Sequence, residues 1–337
     1  MRVNKKKLVI AGHDLKFAED IISILEKSDN FSIKIDKWKG HNVHDEEYSR
    51  ECLKWADIIF CEWGLGNAVW YSNHKLPQQK LIVRMHAQEL KTVYPRQFRI
   101  ENINKIIAIS PYIYEEFYRV FKFPREKMLM IYNSIDTKVL NKTKKDSDFN
   151  LGFIGMCPKL KRLDLAIDIF EKLWTLDNRY KLYIKGKHPQ EYPWLWNNET
   201  ERDFYETVFQ RIREAEWRDS VIFDGFGNDV PEWLQKINFV LSTSDSESFH
   251  LAPGEGMASG AFPVILNWDG SNTIYSSEYI HQNVDECVKK IIEINSISDK
   301  NAMREKLVKY TEEYFDVNKI AAQWINVIEN LYSEGEG

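Results

Sequence analysis

Cysteine is scarce and scattered in this chain. Its 337 residues hold four, Cys52, Cys61, Cys157 and Cys287. None forms a C-x-x-C pair, so neither a zinc ligand set nor a disulfide framework is indicated, and a reducing compartment fits. Cys61 closes an apolar run and reads as a small buried hydrophobe. Long hydrophobic runs are missing too. No stretch approaches the roughly 20 apolar residues that span a bilayer. Only the short run at residues 8–11 follows the basic start, which does not read as a secretory leader. The expected setting is cytoplasmic, with peripheral contact at the inner face of a membrane left open. Positive charge is not in surplus. The net charge of −5 argues against a nucleic-acid partner, and Lys5-Lys6-Lys7 is too short to reverse it. The G-x-G-x-x-G fingerprint is also absent, so a dinucleotide reading has little support.

Aromatic residues and short apolar runs are what the chain does have. Aromatics make up 13%, including 11 Trp, enough both to fill cores and to form flat platforms for rings. Runs of three to five residues, rich in Ile and Val, recur at 8–11, 31–35, 57–61, 81–85, 105–109 and 128–132. They resume at 151–155, 181–185, 221–223, 238–242 and 262–266. Such runs read as buried parallel strands. Between them lies helical spacing, as in Leu163, Ala166, Ile167, Phe170 and Leu173. Strand–helix alternation predicts parallel sheets covered by helices. Eleven strands are too many for one open sheet in a chain of this size, so two sheets are expected. The polar stretch 141–148 reads as the linker. The predicted domains are therefore 1–147 and 148–312, followed by a C-terminal helical segment, 313–337. Ile320, Trp324, Ile328 and Leu331 share one face of that last segment, and the final residues, 333–337, are expected to fray.

Ligands of open parallel sheets collect at the carboxyl ends of strands, near the topological switch, and between two such domains a cleft is the natural site. The segment after the run at 238–242 is the richest there. It holds Glu247, then Phe249, His250 and Leu251, then Pro253-Gly254-Glu255. Pro and Gly suit a first helical turn, whose free N–H groups favour an anion. A carboxylate at 255 suits ribose hydroxyls better than phosphate. The alternative is that Glu247 is an exposed loop acid and Glu255 complements a helix dipole.

This segment resembles the E-x7-E signature of retaining GT-B glycosyltransferases of the family called GT4. Ser242, Glu247, Phe249, Glu255, Ala258, Gly260, Pro263 and Val264 match. His250 stands where the family usually has Gly, and Gly256 where Ala is common. The resemblance implies that Glu247 contacts hydroxyls of the donor sugar, that the backbone at Phe249, His250 and Leu251 helps hold it, and that Glu255 binds ribose. A side chain at His250 would change which hydroxyls are read. A second match lies at 153–164, where Gly155, Lys161 and Asp164 align. Lys161 is placed to neutralise charge on the leaving phosphate; its alternative is a solvated turn. The family Arg falls on Met156, leaving Arg162 or Lys159 as the substitute cation.

The first half matches more loosely. His86, after the run at 81–85, corresponds to a family His lying near the donor sugar, although a lone His there is more often structural. Residues 107–110 and 131–136 resemble fold landmarks. Gly186, Gly225 and Phe226 follow strands whose ends face the nucleotide in the family, with backbone near Gly225 and Phe226 the candidate for base recognition. Residues 188–218 form an aromatic insert that either packs on its domain or shapes the site.

The resemblance implies a GT-B fold: two Rossmann-like domains facing a cleft, the second half holding the donor and the last helix crossing back to the first domain. It implies transfer from a nucleoside diphosphate sugar to a glycan, lipid-linked or other hydroxyl acceptor, in polysaccharide biosynthesis or related work. Neither cofactor nor metal is expected, and no D-x-D motif stands apart from Asp245-Ser246-Glu247. The rival readings are a nucleotide-sugar 2-epimerase, a sugar-phosphate phosphorylase or synthase, and a degenerate, non-catalytic binding subunit.

Overall fold

The computed structural model describes residues 5–333; the fraying expected beyond Ser333 lies outside them. Apolar runs that alternate with amphipathic helices can bury both faces only as parallel strands between helical layers, and each half of the chain does so. In the first unit, β1 (Lys6–Gly12), β2 (Phe31–Lys37), β3 (Ile58–Glu62), β4 (Lys80–Met85), β5 (Lys105–Ala108) and β6 (Met128–Met130) pair in the order β2-β1-β3-β4-β5-β6. In the second, β7 (Asn150–Ile154), β8 (Lys181–Lys185), β9 (Val221–Gly225), β10 (Phe239–Ser242), β11 (Phe262–Leu266) and β12 (Ile280–His281) pair in the order β12-β11-β10-β7-β8-β9. Every ladder is parallel. Eleven of these strands coincide with the runs read from the sequence. The twelfth, two residues long, gives no periodic signal.

Unit 1 comprises Met1–Ser134 and Asp316–Gly337, and unit 2 comprises Ile135–Phe315. The division falls ahead of the polar stretch 141–148, where the sequence suggested a linker. That stretch is held on unit 2 instead. Lys144 Nζ donates to Leu234 O and Ser259 Oγ, each at 2.8 Å, and Lys145 N donates to Gln235 O at 2.9 Å. The helix Val317–Ser333 joins unit 1, where Ile320, Trp324, Ile328 and Leu331 pack with Leu8, Ile10, Phe60 and Ile82. Among the described residues, no helix is long and apolar enough to cross a membrane.

In unit 2 the chain leaves β7 in one direction, toward β8, and returns through β10 on the other side. The switch point therefore lies between the carboxyl ends of β7 and β10, where loops diverge and leave a crevice. The helix Leu251–Ala258 follows the β10 loop. It packs so closely on its strand that a Cβ at Gly256 would meet Val240 Cγ2 at 2.6 Å. That contact is a physical reason for Gly where Ala is common.

Candidate active site

Lys161 and Glu247 come together at this switch point. After β7 the chain turns at Gly155, whose φ of 77° suits glycine, and reaches a 3-10 turn, Lys159–Lys161. Arg162, with φ 54°, then opens the helix Leu163–Leu176. The β10 loop is tied to this turn: Asp245 N donates to Leu160 O at 2.9 Å, and Thr243 Oγ1 lies 2.9 Å from the carbonyl oxygens of both Lys161 and Arg162.

That lacing holds Lys161 Nζ 2.5 Å from Glu247 Oε1. Ser244 Oγ donates to the same oxygen at 2.7 Å, and His250 Nδ1 stands 3.7 Å from it. Glu247 Oε2 takes no hydrogen bond from the described residues. Burial alone would raise the Glu247 carboxyl. The His250 ring, the Lys161 ammonium and the Ser244 hydroxyl outweigh it and hold the group below its ordinary value. A buried acid in this state is an anion fixed in place, of the kind that marks functional sites.

His250 is buried at the helix start with φ 56°, ψ 86°. Its Nδ1 lies 2.8 Å from Ser242 Oγ, Tyr275 donates to its carbonyl at 2.7 Å, and its Nε2 is buried without a hydrogen-bond partner among the described residues. Desolvation pushes its pKa down to about 4, with Lys161 adding to the fall and Glu247 opposing it. The ring is therefore neutral near pH 7.

The remaining sequence candidates divide. Leu251 is the first residue of the helix and Glu255 lies, half-buried, one turn on. The Phe249 side chain is core, packed edge-on to Phe315 at 5.1 Å. Arg162 is engaged by Asp164 and Asp245, each at 2.8 Å. Met156, at the position of the family Arg, is buried, and its carbonyl accepts from Tyr205 Oη at 2.7 Å. Gly155 and Phe226 line a separate recess of about 190 Å³ with Met156, Lys185, Lys187 and Tyr192. Gly225, outside the recess lining, has φ 66°, and its carbonyl accepts from Gly186 N at 2.9 Å. Lys185 in this recess pairs with Asp229 at 2.8 Å.

The aromatic insert packs on its domain through the helix Glu199–Glu214, where Tyr205, Val208 and Ile212 are buried. It also braces the Lys161 loop, since Glu201 accepts from Lys159 N at 2.8 Å. Tyr192 reaches the recess wall, while Trp194 is 64% exposed.

His86 belongs to unit 1, directly after β4. Its Nε2 donates to Glu62 Oε1 at 3.0 Å, and Arg84 Nε donates to Glu62 Oε2 at 2.6 Å. The His86 ring contacts Trp63, at 4.1 Å, and Phe17, at 5.0 Å, and those two rings also touch each other at 5.9 Å. Burial lowers its pKa while Glu62 opposes the fall. Glu89, just beyond, is pushed up to about 8 by burial, against the backbone N–H groups of Gly64 and His86.

Several residues escaped the sequence reading. Thr243 and Ser244 gave only a generic polar-loop signal, although hydroxyls directly after a strand end were the clue. Glu62 and Arg84 were legible as charges inside otherwise apolar strands, which must be paired when buried. Among the described residues no group of three or more His, Cys, Asp or Glu side chains gathers as a metal ligand set.

Residues 135–314, more than half of the chain and nearly all of unit 2, match the family described as glycosyl transferases group 1. The chain belongs to that family. It is 27% identical over 174 residues to an N-acetyl-alpha-D-glucosaminyl L-malate synthase of Bacillus anthracis, covering 49% of this chain and 42% of that protein. It is 25% identical over 215 residues to an uncharacterized glycosyltransferase of Methanocaldococcus jannaschii, covering 61% and 53% respectively. The matched stretch thus spans about half the length of these curated relatives. Among solved structures, Anabaena HepE in complex with UDP and glucose superposes with a TM-score of 0.74 at 15% identity, over 97% of this chain and 100% of that one. The fold is GT-B.

Proposed function

We propose that this chain transfers a glycosyl group from a nucleoside diphosphate sugar to a hydroxyl of a glycan, lipid-linked or similar acceptor. In this reading it retains anomeric configuration, uses no divalent metal and works in the cytoplasm. One observation carries the proposal: the Lys161–Glu247 pair laced between the β7 and β10 loops at the switch point of unit 2. Cleaving the anomeric carbon–oxygen bond leaves negative charge on the departing diphosphate. An ammonium already held in place stabilises that charge without reorganisation, and Lys161 supplies it. Glu247, with Oε2 open, accepts hydrogen bonds from the sugar's hydroxyls, and Glu255 accepts from the ribose. The recess beside Gly155 and Phe226 takes the base.

Family membership supports this reading. So do the relative that is an N-acetyl-alpha-D-glucosaminyl L-malate synthase and the UDP and glucose held by HepE. A non-catalytic binding role is the second reading, favoured by Met156 at the Arg position and by Arg162 being engaged by two acids. The test pairs calorimetric titration of nucleoside diphosphates and their sugars with a turnover assay. The transferase reading expects binding with turnover in the wild type and a loss of turnover in Lys161→Ala and Glu247→Ala. Near-normal rates in either variant overturn the assignment, and binding without any turnover establishes the second reading.

A further inference from the structure

We propose that His250 is this chain's specificity-determining residue for the transferred sugar, its Nε2 accepting one hydrogen bond from a hydroxyl or amide N–H of that sugar. The inference rests on the donor-site reading above and concerns the one position where the signature departs most from its usual form.

The backbone comes first. With φ 56° and ψ 86°, residue 250 occupies a left-handed region that glycine enters freely and that a side chain enters against steric resistance. An imidazole kept at a position suited to glycine calls for something the ring itself does. Packing alone does not supply it. Nε2 is buried and meets no hydrogen-bond partner among the described residues, an arrangement that costs free energy until a partner arrives.

The polarity of that nitrogen follows from the other edge of the ring. Nδ1 faces two oxygens, Ser242 Oγ at 2.8 Å and Glu247 Oε1 at 3.7 Å. A carboxylate opposite a ring nitrogen favours the tautomer with the proton on that nitrogen. The ring is neutral, so it carries one proton, and Nδ1 holds it. Nε2 is then a bare acceptor. It cannot be satisfied by another carboxylate, carbonyl or phosphate oxygen; it requires a donor. Glu247 Oε2 is a second acceptor with no hydrogen bond from the described residues, because Lys161 and Ser244 both use Oε1. The loop 243–250 therefore presents two acceptors within one short stretch, which matches a sugar bearing hydroxyl or acylamino groups and does not match the diphosphate.

The experiment uses the full chain with His250→Gly and His250→Asn, both tolerant of the left-handed backbone. UDP, GDP, ADP and dTDP are titrated first. The matching glucose and N-acetylglucosamine nucleotides follow, then the monodeoxy-fluoro analogues of whichever sugar the wild type prefers. The expected result is unchanged affinity for the free nucleoside diphosphate in His250→Gly. Affinity for the preferred sugar nucleotide falls about 10- to 100-fold, the scale of one lost hydrogen bond in a buried site. One fluoro analogue should be penalised by the same factor in the wild type and not at all in His250→Gly. If wild type and His250→Gly discriminate the sugar panel equally, His250 does not read the sugar, while the donor-site reading survives. If the wild type binds no nucleoside diphosphate or sugar nucleotide, both readings are overturned.

Discussion

The hydroxyl of Thr243 lies 2.9 Å from the carbonyl oxygens of both Lys161 and Arg162, so the loop leaving β10 is stitched to the loop leaving β7 at the switch point of unit 2. This stitch sets the separation between the cation and the acid of the candidate site, yet Thr243 has no chemistry of its own there. Thr243→Val keeps the shape of the side chain and deletes the bond. We expect a stability loss of about 1 kcal/mol, read by urea denaturation. Turnover should fall further than that loss explains, because a small displacement of positioned groups is costly. Unchanged turnover would show that the stitch is dispensable.

The Lys161–Glu247 pair is mostly buried, its side chains 19% and 12% exposed. Removing one partner strands the other in a poorly solvated place. Lys161→Met should therefore destabilise the protein by up to about 3 kcal/mol, the low end for a broken buried pair because some exposure remains. Adding Glu247→Gln should restore much of that stability without restoring turnover. A double variant as unstable as the single one would show that the stranded charge is not the source of the loss.

The His250 ring gives a pH signature. Its pKa is about 4 in the folded chain against an ordinary 6.5. Between those values the unfolded chain holds a proton that the folded one lacks. Stability therefore rises with pH across this window and is lost as pH falls from 6.5 toward 4, by at most about 1.4 kcal/mol per unit. Glu247, held below its ordinary value, adds a loss in the same direction only at lower pH. Chemical denaturation at pH 7, 6, 5 and 4.5 should show this decline in the wild type and a flatter profile in His250→Gly. Equal slopes would mean that the ring titrates normally.

Charge on the leaving group is assigned to Lys161 and not to a bound ion. Turnover should accordingly survive EDTA and gain nothing from added magnesium or manganese. Loss of activity in EDTA, restored by either ion, would refute that assignment.

In unit 1, Trp324 is wholly buried, 4.7 Å from Phe60 and 5.5 Å from the Arg84 guanidinium. Trp324→Ala should cost about 3–5 kcal/mol, as for other large core aromatics, with the loss visible in thermal melts. A cost below 1 kcal/mol would mean that the final helix is not needed for that core.

The fold was legible because parallel strands buried on both faces leave an unmistakable trace, such as the run from Leu8 to Ala11 or from Phe239 to Ser242. β12 was not, since two residues carry no period. At the candidate site, Glu247 and Lys161 were readable through the resemblance of their segments to the family signature. Their meeting was not, because residues 86 positions apart are joined only by the order of the strands. His250 could be seen as a substitution, but its left-handed backbone and unpartnered nitrogen exist only in three dimensions. Arg162 looked like a free cation. Its engagement by Asp245 depends on the same loop-to-loop approach that the linear chain conceals.

The first and last residues of unit 2 are hydrogen-bonded to each other, Ile135 N to Phe315 O at 2.8 Å. Topologically, the second Rossmann-like domain is a single loop spliced into the first, entering and leaving through one doorway. Such a segment can be cut out as one continuous gene fragment whose ends already lie side by side, and a permuted version could join those ends with a short peptide and open elsewhere.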